Sequence, residues 1–468
     1  MLNGKMLLLN EEKLCTILKI CVSEKGDEHS LQREIQVNQK MPLGSGSLLS
    51  LQHLFAMFGS TVLVPNLFGV DPSMILLMNG IGTLLYILMC KGKIPAYLGS
   101  SFAFIAPVSS VLLAHPDNGY SMALGAFIVT GAVFCIVALI IKYAGTGWIN
   151  VVFPPAVMGA IVALIGLELV PVAAGMAGLI NSNPAENPNW VPQAKPIILS
   201  MVTLGITVIG AVTFRGFPKI IHILIGIVSG YVLGYFMGEV KTENIANADF
   251  ISLPTLTTPT FDWSVIFTIL PVALVVIVEH IGHLLVTSSI VGKDLSKDPG
   301  LHRSLLGNGV STILSGFVGS TPNTTYGENI GVMALTRVYS TYVIGGAAVI
   351  AIVLSFSGTF SALIANIPVP VMGGVSLLLF GVIAASGLRI LVEQKVDFAK
   401  PTNLLLTTLV LVIGLSGTEI TFYGIHLKGM ALATIVGILL SLLFKLFEVL
   451  GWSNDQTEKQ PLTEKNPD

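Results

Sequence analysis

The string Glu279-His-Ile-Gly-His283 lies within Leu270–Val286, a stretch that is otherwise apolar. A charged side chain at the centre of a bilayer costs ~2.5–3.5 kcal/mol on insertion scales, and normally faces a polar pathway. Glu279 and His283 are four residues apart, so on a helix they share a face and can hydrogen-bond or exchange a proton. A further acid, Glu328, follows Gly327 in Gly319-Ser-Thr-Pro-Asn-Thr-Thr-Tyr-Gly-Glu-Asn-Ile-Gly331, a string whose residues disfavour helix from its start. Two carboxyls beside one cavity can accept hydrogen bonds from the N–H groups of a ligand. Burial favours the neutral form of a carboxyl, which suits a proton carrier. The plainer accounts are an interhelical hydrogen bond for Glu279, a helix-start cap for Glu328 and a structural role for His280.

Other polar residues in apolar stretches carry less. Glu168, in Gly166-Leu-Glu-Leu169, is either a helix contact or part of a proton route. His53 reads as an interface histidine, and Arg389 with Glu393 as a surface pair at a helix end. The metalloprotease pattern His-Glu-x-x-His is not met, because here the glutamate precedes histidines only three apart. No phosphate loop or dinucleotide fingerprint occurs, and no nucleophile–base set suggests an enzyme. No metal or organic cofactor is expected.

The elements that must position these groups are membrane spans. The chain has 468 residues, 53% of them hydrophobic and 11% charged, with a mean hydropathy of +0.82. A soluble domain carries about 25% charged residues, so the shortfall points to lipid as the surrounding medium. The net charge of −2 argues against a nucleic-acid partner. Cys15, Cys21, Cys90 and Cys135 have no paired metal-ligand spacing and read as free thiols. A helical span needs about 20 apolar residues. On that measure hydropathy predicts an all-α polytopic membrane protein with fourteen spans, seven within 51–238 and seven within 264–450. Residues 1–50 read as a loosely ordered cytoplasmic tail, 239–263 as an outside loop and 451–468 as a second cytoplasmic tail. Lys91, Lys93, Lys142, Arg215, Lys219, Lys293, Lys297, Arg303, Arg337, Arg389, Lys395 and Lys400 fall in connections of one parity. Only Lys195, Lys241 and Lys428 fall in the other, which sets both termini inside the cell.

The chain also echoes itself. Pro155-Ala-Val-Met-Gly159 in the fifth span matches Pro370-Val-Met-Gly-Gly374 in the twelfth, and Gly99-Ser-Ser101 in the third matches Gly319-Ser-Thr321 in the tenth. Two halves of seven spans each must enter the membrane in opposite senses, which makes an inverted repeat of the kind secondary transporters use. Ile94–Pro107 and Gly319–Gly331 are interrupted in corresponding places. Such non-helical backbone is tolerated at membrane depth only where protein buries it or it lines a wet cavity, so the pair marks the expected transport site.

Gln52-His-Leu-Phe-Ala-Met-Phe-Gly59, Pro95-Ala-Tyr-Leu-Gly-Ser-Ser-Phe-Ala-Phe104, Glu279–His283 and Gly319–Glu328 closely resemble motifs of the nucleobase–ascorbate transporter family. The resemblance runs from about Leu51 to about Val449. It implies core and gate domains, with short strands in segments three and ten that pair near the membrane centre. It also implies proton-coupled import of a nucleobase, uracil before xanthine or another purine, across a bacterial cytoplasmic membrane. By the same resemblance, Glu279 and Glu328 accept from the ring N–H groups, while the backbone N–H groups of Phe102 and Gly327 donate to the ring carbonyls. His283 helps to couple the proton, and a homodimer is implied. Ser60 stands near the site where the members that carry uracil have alanine. An anion exchanger or channel on a related fold is the alternative of a different class. It would call for a positive charge at the site, where this sequence offers acids.

Overall fold

The computed structural model describes residues 34–181, 187–240, 245–422 and 425–454. Most of the N-terminal segment, with Cys15 and Cys21, lies outside the described residues, as do the side chain of Ser60 and the C-terminal residues after 454. The helices α1 to α4 are Leu43–Ala56, Phe58–Phe68, Pro72–Met89 and Ile105–Ala114. The helices α5 to α8 are Gly119–Ala144, Pro155–Met176, Ala194–Thr213 and His222–Phe236. Next come α9 to α12, at Trp263–Ile269, Val272–Val291, Leu301–Val318 and Gly327–Thr336. The last are α13 to α17, at Thr341–Ser355, Gly358–Ala365, Val369–Glu393, Pro401–Leu415 and Gly429–Val449. Four short strands interrupt them: β1 Leu98–Ser100, β2 Asn323–Thr325, β3 Glu419–Phe422 and β4 Ile425–Lys428.

The chain is therefore mostly helical and multi-pass. Among the described residues, eight helical spans are long and apolar enough to cross a membrane, or nine if α13 and α14, bent by 91°, count as one. Hydropathy predicts fourteen, and the difference has physical causes. The interrupted third and tenth segments keep only the ten-residue helices α4 and α12, each about 15 Å long, half the thickness of a bilayer core. The eighteen residues of α11 include Ser304, Asn308, Ser311, Thr312 and Ser315, all fully buried. That helix faces protein with its polar side chains, so its composition understates its depth. Helix α1 begins at Leu43, inside the stretch read as tail.

The echoed Val-Met-Gly helices α6 and α15 pack against each other along much of their length. Small residues permit the contact. A Cβ at Gly159 would meet Leu391 and lie 3.0 Å from the Gly387 carbonyl, and a Cβ at Gly387 would collide with the backbone of Ala163. Lipid tails are as apolar as leucine, so helices in a membrane associate by such close packing. On the polar face, Lys93 pairs with Asp298 at 2.6 Å and joins two interhelical connections.

Gly387→Leu should therefore force α6 and α15 apart. The expected loss is about 1–3 kcal/mol or more, as for other overpacked sites, read as a lower melting temperature of detergent-solubilised protein.

Candidate binding site

Two extended segments meet inside the helical bundle. Strand β1 runs antiparallel to β2, with Leu98 opposite Thr325, Gly99 opposite Thr324 and Ser100 opposite Asn323. The pairing continues at both ends, where Ser101 N donates to Pro322 O at 2.9 Å and Tyr326 N donates to Tyr97 O at 3.1 Å. Hydrocarbon offers no partner to a backbone amide, so these short strands must satisfy each other. Their outer edges are covered by threonines. Leu98 N donates to Thr83 Oγ1 on α3 at 2.9 Å, and Thr312 Oγ1 on α11 donates to Asn323 O at 3.2 Å. The Asn323 side chain reaches Met78 O at 3.1 Å and Ser311 Oγ at 2.7 Å. Tyr326 OH donates to Ser100 O across the ribbon. Its ring occupies the space that a Cβ on Gly99 would need, so only glycine fits there.

Each strand leads into a helix. Phe102 opens a 3₁₀ turn, Phe102–Phe104, that runs on into α4, and Gly327 opens α12. The first amides of a helix have no partner within it, and the aligned peptide dipoles make that end partly positive. The N–H groups of Phe102 and Gly327 thus lie at the two ends where paired strand becomes helix. The Phe102 ring stands edge-on to Tyr326 at 6.2 Å and to Phe380 of α15 at 5.8 Å.

Helix α10 flanks the ribbon and carries Glu279 and His283, both partly buried. His283 Nδ1 lies 3.1 Å from Thr325 Oγ1. A Cβ added at Gly327 would be 3.3 Å from His283 Nε2, so the imidazole sits between β2 and the start of α12. Spacing allows a Glu279–His283 hydrogen bond, but among the described residues none is made, because the ring faces Thr325 instead. Glu279 Oε2 is buried and has no hydrogen-bond partner among the described residues. Glu328, in the first turn of α12, is partly buried, and α12 packs against α10. Two acceptors and two helix-start amides therefore surround one short ribbon. Ser101 Oγ and Thr324 Oγ1, in and beside it, are likewise buried and unpartnered among the described residues.

The remaining polar groups take ordinary places. His280 is fully buried, with Nε2 2.7 Å from Ser304 Oγ, and Tyr86 OH lies 2.6 Å from the same hydroxyl. The Asn329 side-chain nitrogen lies 3.2 Å from His53 Nδ1 and donates to the His53 carbonyl at 2.9 Å, so His53 is an interface histidine between α1 and α12. Glu168 Oε2 accepts from Met430 N at 2.9 Å and caps α17, the helix contact rather than a group beside the ribbon. Arg389 and Glu393 form an exposed pair at 2.6 Å, and Cys90 and Cys135 are free thiols. A cavity of about 700 Å³ is lined by Ala106, Glu168, Thr268, Val272, Lys428 and Met430 among others; neither Glu279 nor Glu328 lines it. Ala106 is one turn beyond Phe102 and Val272 two turns before Glu279, so the cavity ends short of the ribbon. Among the described residues no group of three or more His, Cys, Asp or Glu could hold a metal ion. Thr325, Tyr326 and Asn323 are absent from the residues that sequence singles out by role. The only signal for them is their place in the polar string 319–331.

Residues 44–423 match Xan_ur_permease, described as a permease family. This chain belongs to that family, the nucleobase–ascorbate transporters. It is 62% identical over 419 residues to the uracil permease of Escherichia coli (strain K12), covering 90% of this chain and 96% of that protein. It is 47% identical over 402 residues to the uracil permease of Bacillus subtilis (strain 168), covering 84% of this chain and 91% of that protein. Two solved structures share the fold at low identity. The transmembrane domain of the cyanobacterial bicarbonate transporter BicA superposes with a TM-score of 0.57 at 16% identity, over 89% of this chain and 100% of that one. The murine anion transporter Slc26a9, in its inward-facing state, does so with 0.67 at 11% identity, over 92% of this chain and 75% of that one. The relatives are permeases, not enzymes.

Replacing Asn323 by Ala in this permease should leave the Ser311 hydroxyl without that partner and remove the tie from β2 to the Met78 carbonyl. Loss of buried partners costs about 1–3 kcal/mol, measurable as a lower melting temperature than that of the parent protein in the same detergent.

Proposed function

We propose that this protein imports uracil together with one or more protons across the bacterial cytoplasmic membrane by alternating access. The observation that carries this reading is the arrangement of Glu279, Glu328 and the amides of Phe102 and Gly327 around the β1–β2 ribbon. A uracil ring presents two N–H donors and two carbonyl acceptors in one plane. Two carboxyls and two helix-start amides are the complementary set. The carboxyls accept, the amides donate, and the partial positive charge of both helix starts favours the carbonyl oxygens. Ser60 is included as a substrate-binding residue on the family resemblance alone. Glu279 Oε2, buried without a partner among the described residues, supports an acceptor held ready for a ligand, since such groups are otherwise expensive. The names of the Escherichia coli and Bacillus subtilis relatives agree with this choice of base.

In this reading His283, Glu279 and Glu328 carry the coupling proton. His283 touches β2 through Thr325 and reaches the start of α12, so a change in its charge is felt where substrate binds. The architecture that goes with it is fourteen segments in two inverted repeats, a core moving against a gate, both termini cytoplasmic, and a homodimer. The likeness to anion transporters concerns the fold alone, and two carboxyls at the ribbon oppose an inorganic anion as cargo. A purine cargo is the nearer competitor, and competition by a panel of bases separates it from uracil.

Labelled uracil should enter cells lacking their own permease saturably, and a proton ionophore should abolish accumulation. Saturable uptake indifferent to the ionophore would remove the coupling, and no uptake from protein shown to be in the membrane would remove uracil. Glu279→Ala and Glu328→Ala should each lower affinity about 10- to 100-fold, the worth of a hydrogen bond to a charged group. Wild-type affinity in either variant would displace that carboxyl from the site.

A further inference from the structure

Residues 35–39 precede the first helix, in a stretch whose composition predicts a loose tail, yet they are bonded to a distant part of the chain. Ile35 forms a parallel bridge with Val338. Ile35 N donates to Arg337 O at 3.0 Å, Tyr339 N donates to Ile35 O at 2.8 Å, and Thr341 N donates to Val37 O at 3.1 Å. Two side chains add to this. Ser340 Oγ donates to Gln39 O at 2.7 Å, and Thr341 Oγ1 to Val37 O at 3.2 Å. Val37 is 3% exposed, and Val338 and Tyr339 are buried opposite it.

What this segment holds is the far end of the helix that carries Glu328. Helix α12 is only ten residues long, too short to be stable by itself. It stops at Arg337, whose φ of +56° breaks the helix, and a three-residue joint, Val338–Ser340, leads to α13. Carbonyls at a helix end and amides at a helix start lack partners of their own. The strap supplies them on both sides of the joint, to the Arg337 carbonyl and to the Thr341 amide. The helix that follows the strap, α1, is then tied to the same two helices further along. Ser50 Oγ donates to Val343 O at 2.8 Å, and the His53 carbonyl accepts from Asn329, next to Glu328. Glu328 stands about 12 Å from the strapped end along the axis, so a tilt of ~5° there displaces its carboxyl by about 1 Å.

We propose that residues Ile35–Gln39 are a positioning strap, which fixes α12 from its far end and so sets the place of the Glu328 carboxyl for substrate. This rests on the reading of Glu328 as a uracil-binding group. The strap touches no substrate and acts through α12.

The test uses the full chain in cells lacking their own permease, with KM and maximal rate of uracil uptake normalised to the protein measured in the membrane. Val37→Asp places a charge in the buried contact, Ile35→Pro removes the N–H that serves Arg337, and Val37→Ile is the conservative control. The first two should raise KM about tenfold or more, as misplacement of a reacting group by 1 Å can, with a smaller effect on maximal rate, and Val37→Ile should restore the parent KM. Ser340→Ala deletes a single hydrogen bond and decides the matter if the stronger variants do not reach the membrane; it should raise KM about two- to tenfold. A parent KM in Ser340→Ala, or in whatever Val37→Asp or Ile35→Pro protein reaches the membrane, overturns the proposal and leaves a purely structural contact. Failure of the unsubstituted protein to take up uracil would instead sink the functional reading, so the two failures are separable.

Discussion

The pairing of Leu98–Ser100 with Asn323–Thr325 is the constraint from which the rest of this site follows. A peptide group facing hydrocarbon has no water to turn to, and each unsatisfied one costs several kcal/mol. Two extended segments can exist at depth only if they bond to each other and if something covers their edges. Thr83 and Thr312 do the covering, from helices packed on either side. Glycine at position 99 makes room for the Tyr326 ring that locks the ribbon from above. Because the ribbon is only three residues long, two helices must start beside it, and their free amides arrive at the site as a consequence.

The polar helix α11 belongs to the same arrangement. Ser304, Ser311 and Thr312 would be costly against lipid, but they bond to Tyr86, His280 and Asn323. Buried polar groups of this kind hold unique geometry when their partners are in place. A different means serves the α6–α15 contact, where glycines let two backbones approach without any polar bond. The site therefore stands on a hydrogen-bonded layer, while the echoed helices rely on close apolar packing.

Much of this is legible in the sequence, though unevenly. A glutamate in an apolar stretch is conspicuous because lipid tolerates so few, and two broken segments in matching positions direct attention to one place. Glu279, Glu328, Phe102, Gly327 and His283 do converge on the ribbon. The partner of His283 was not legible: helical spacing offers Glu279, but a threonine from a strand forty-two residues away takes the bond. Which segments form whole helical spans was not legible either. Hydropathy treats an interrupted segment as a whole span and cannot distinguish a polar helix buried in protein from one in water.

What the sequence by itself determined is the medium, the class of fold, the family and the small set of acids that lie in apolar stretches. These follow from composition, local string and the expense of charge in lipid, all properties of residues near one another in the chain. Only the tertiary structure decided which of the permitted hydrogen bonds are made and which chain segments far apart in number support each other. The strap between Ile35–Gln39 and Arg337–Thr341 shows why. Its bonds are backbone amides and carbonyls, which every residue carries alike, so no side-chain pattern announces them. Their pairing is settled by where the folded helices leave donors and acceptors unpartnered.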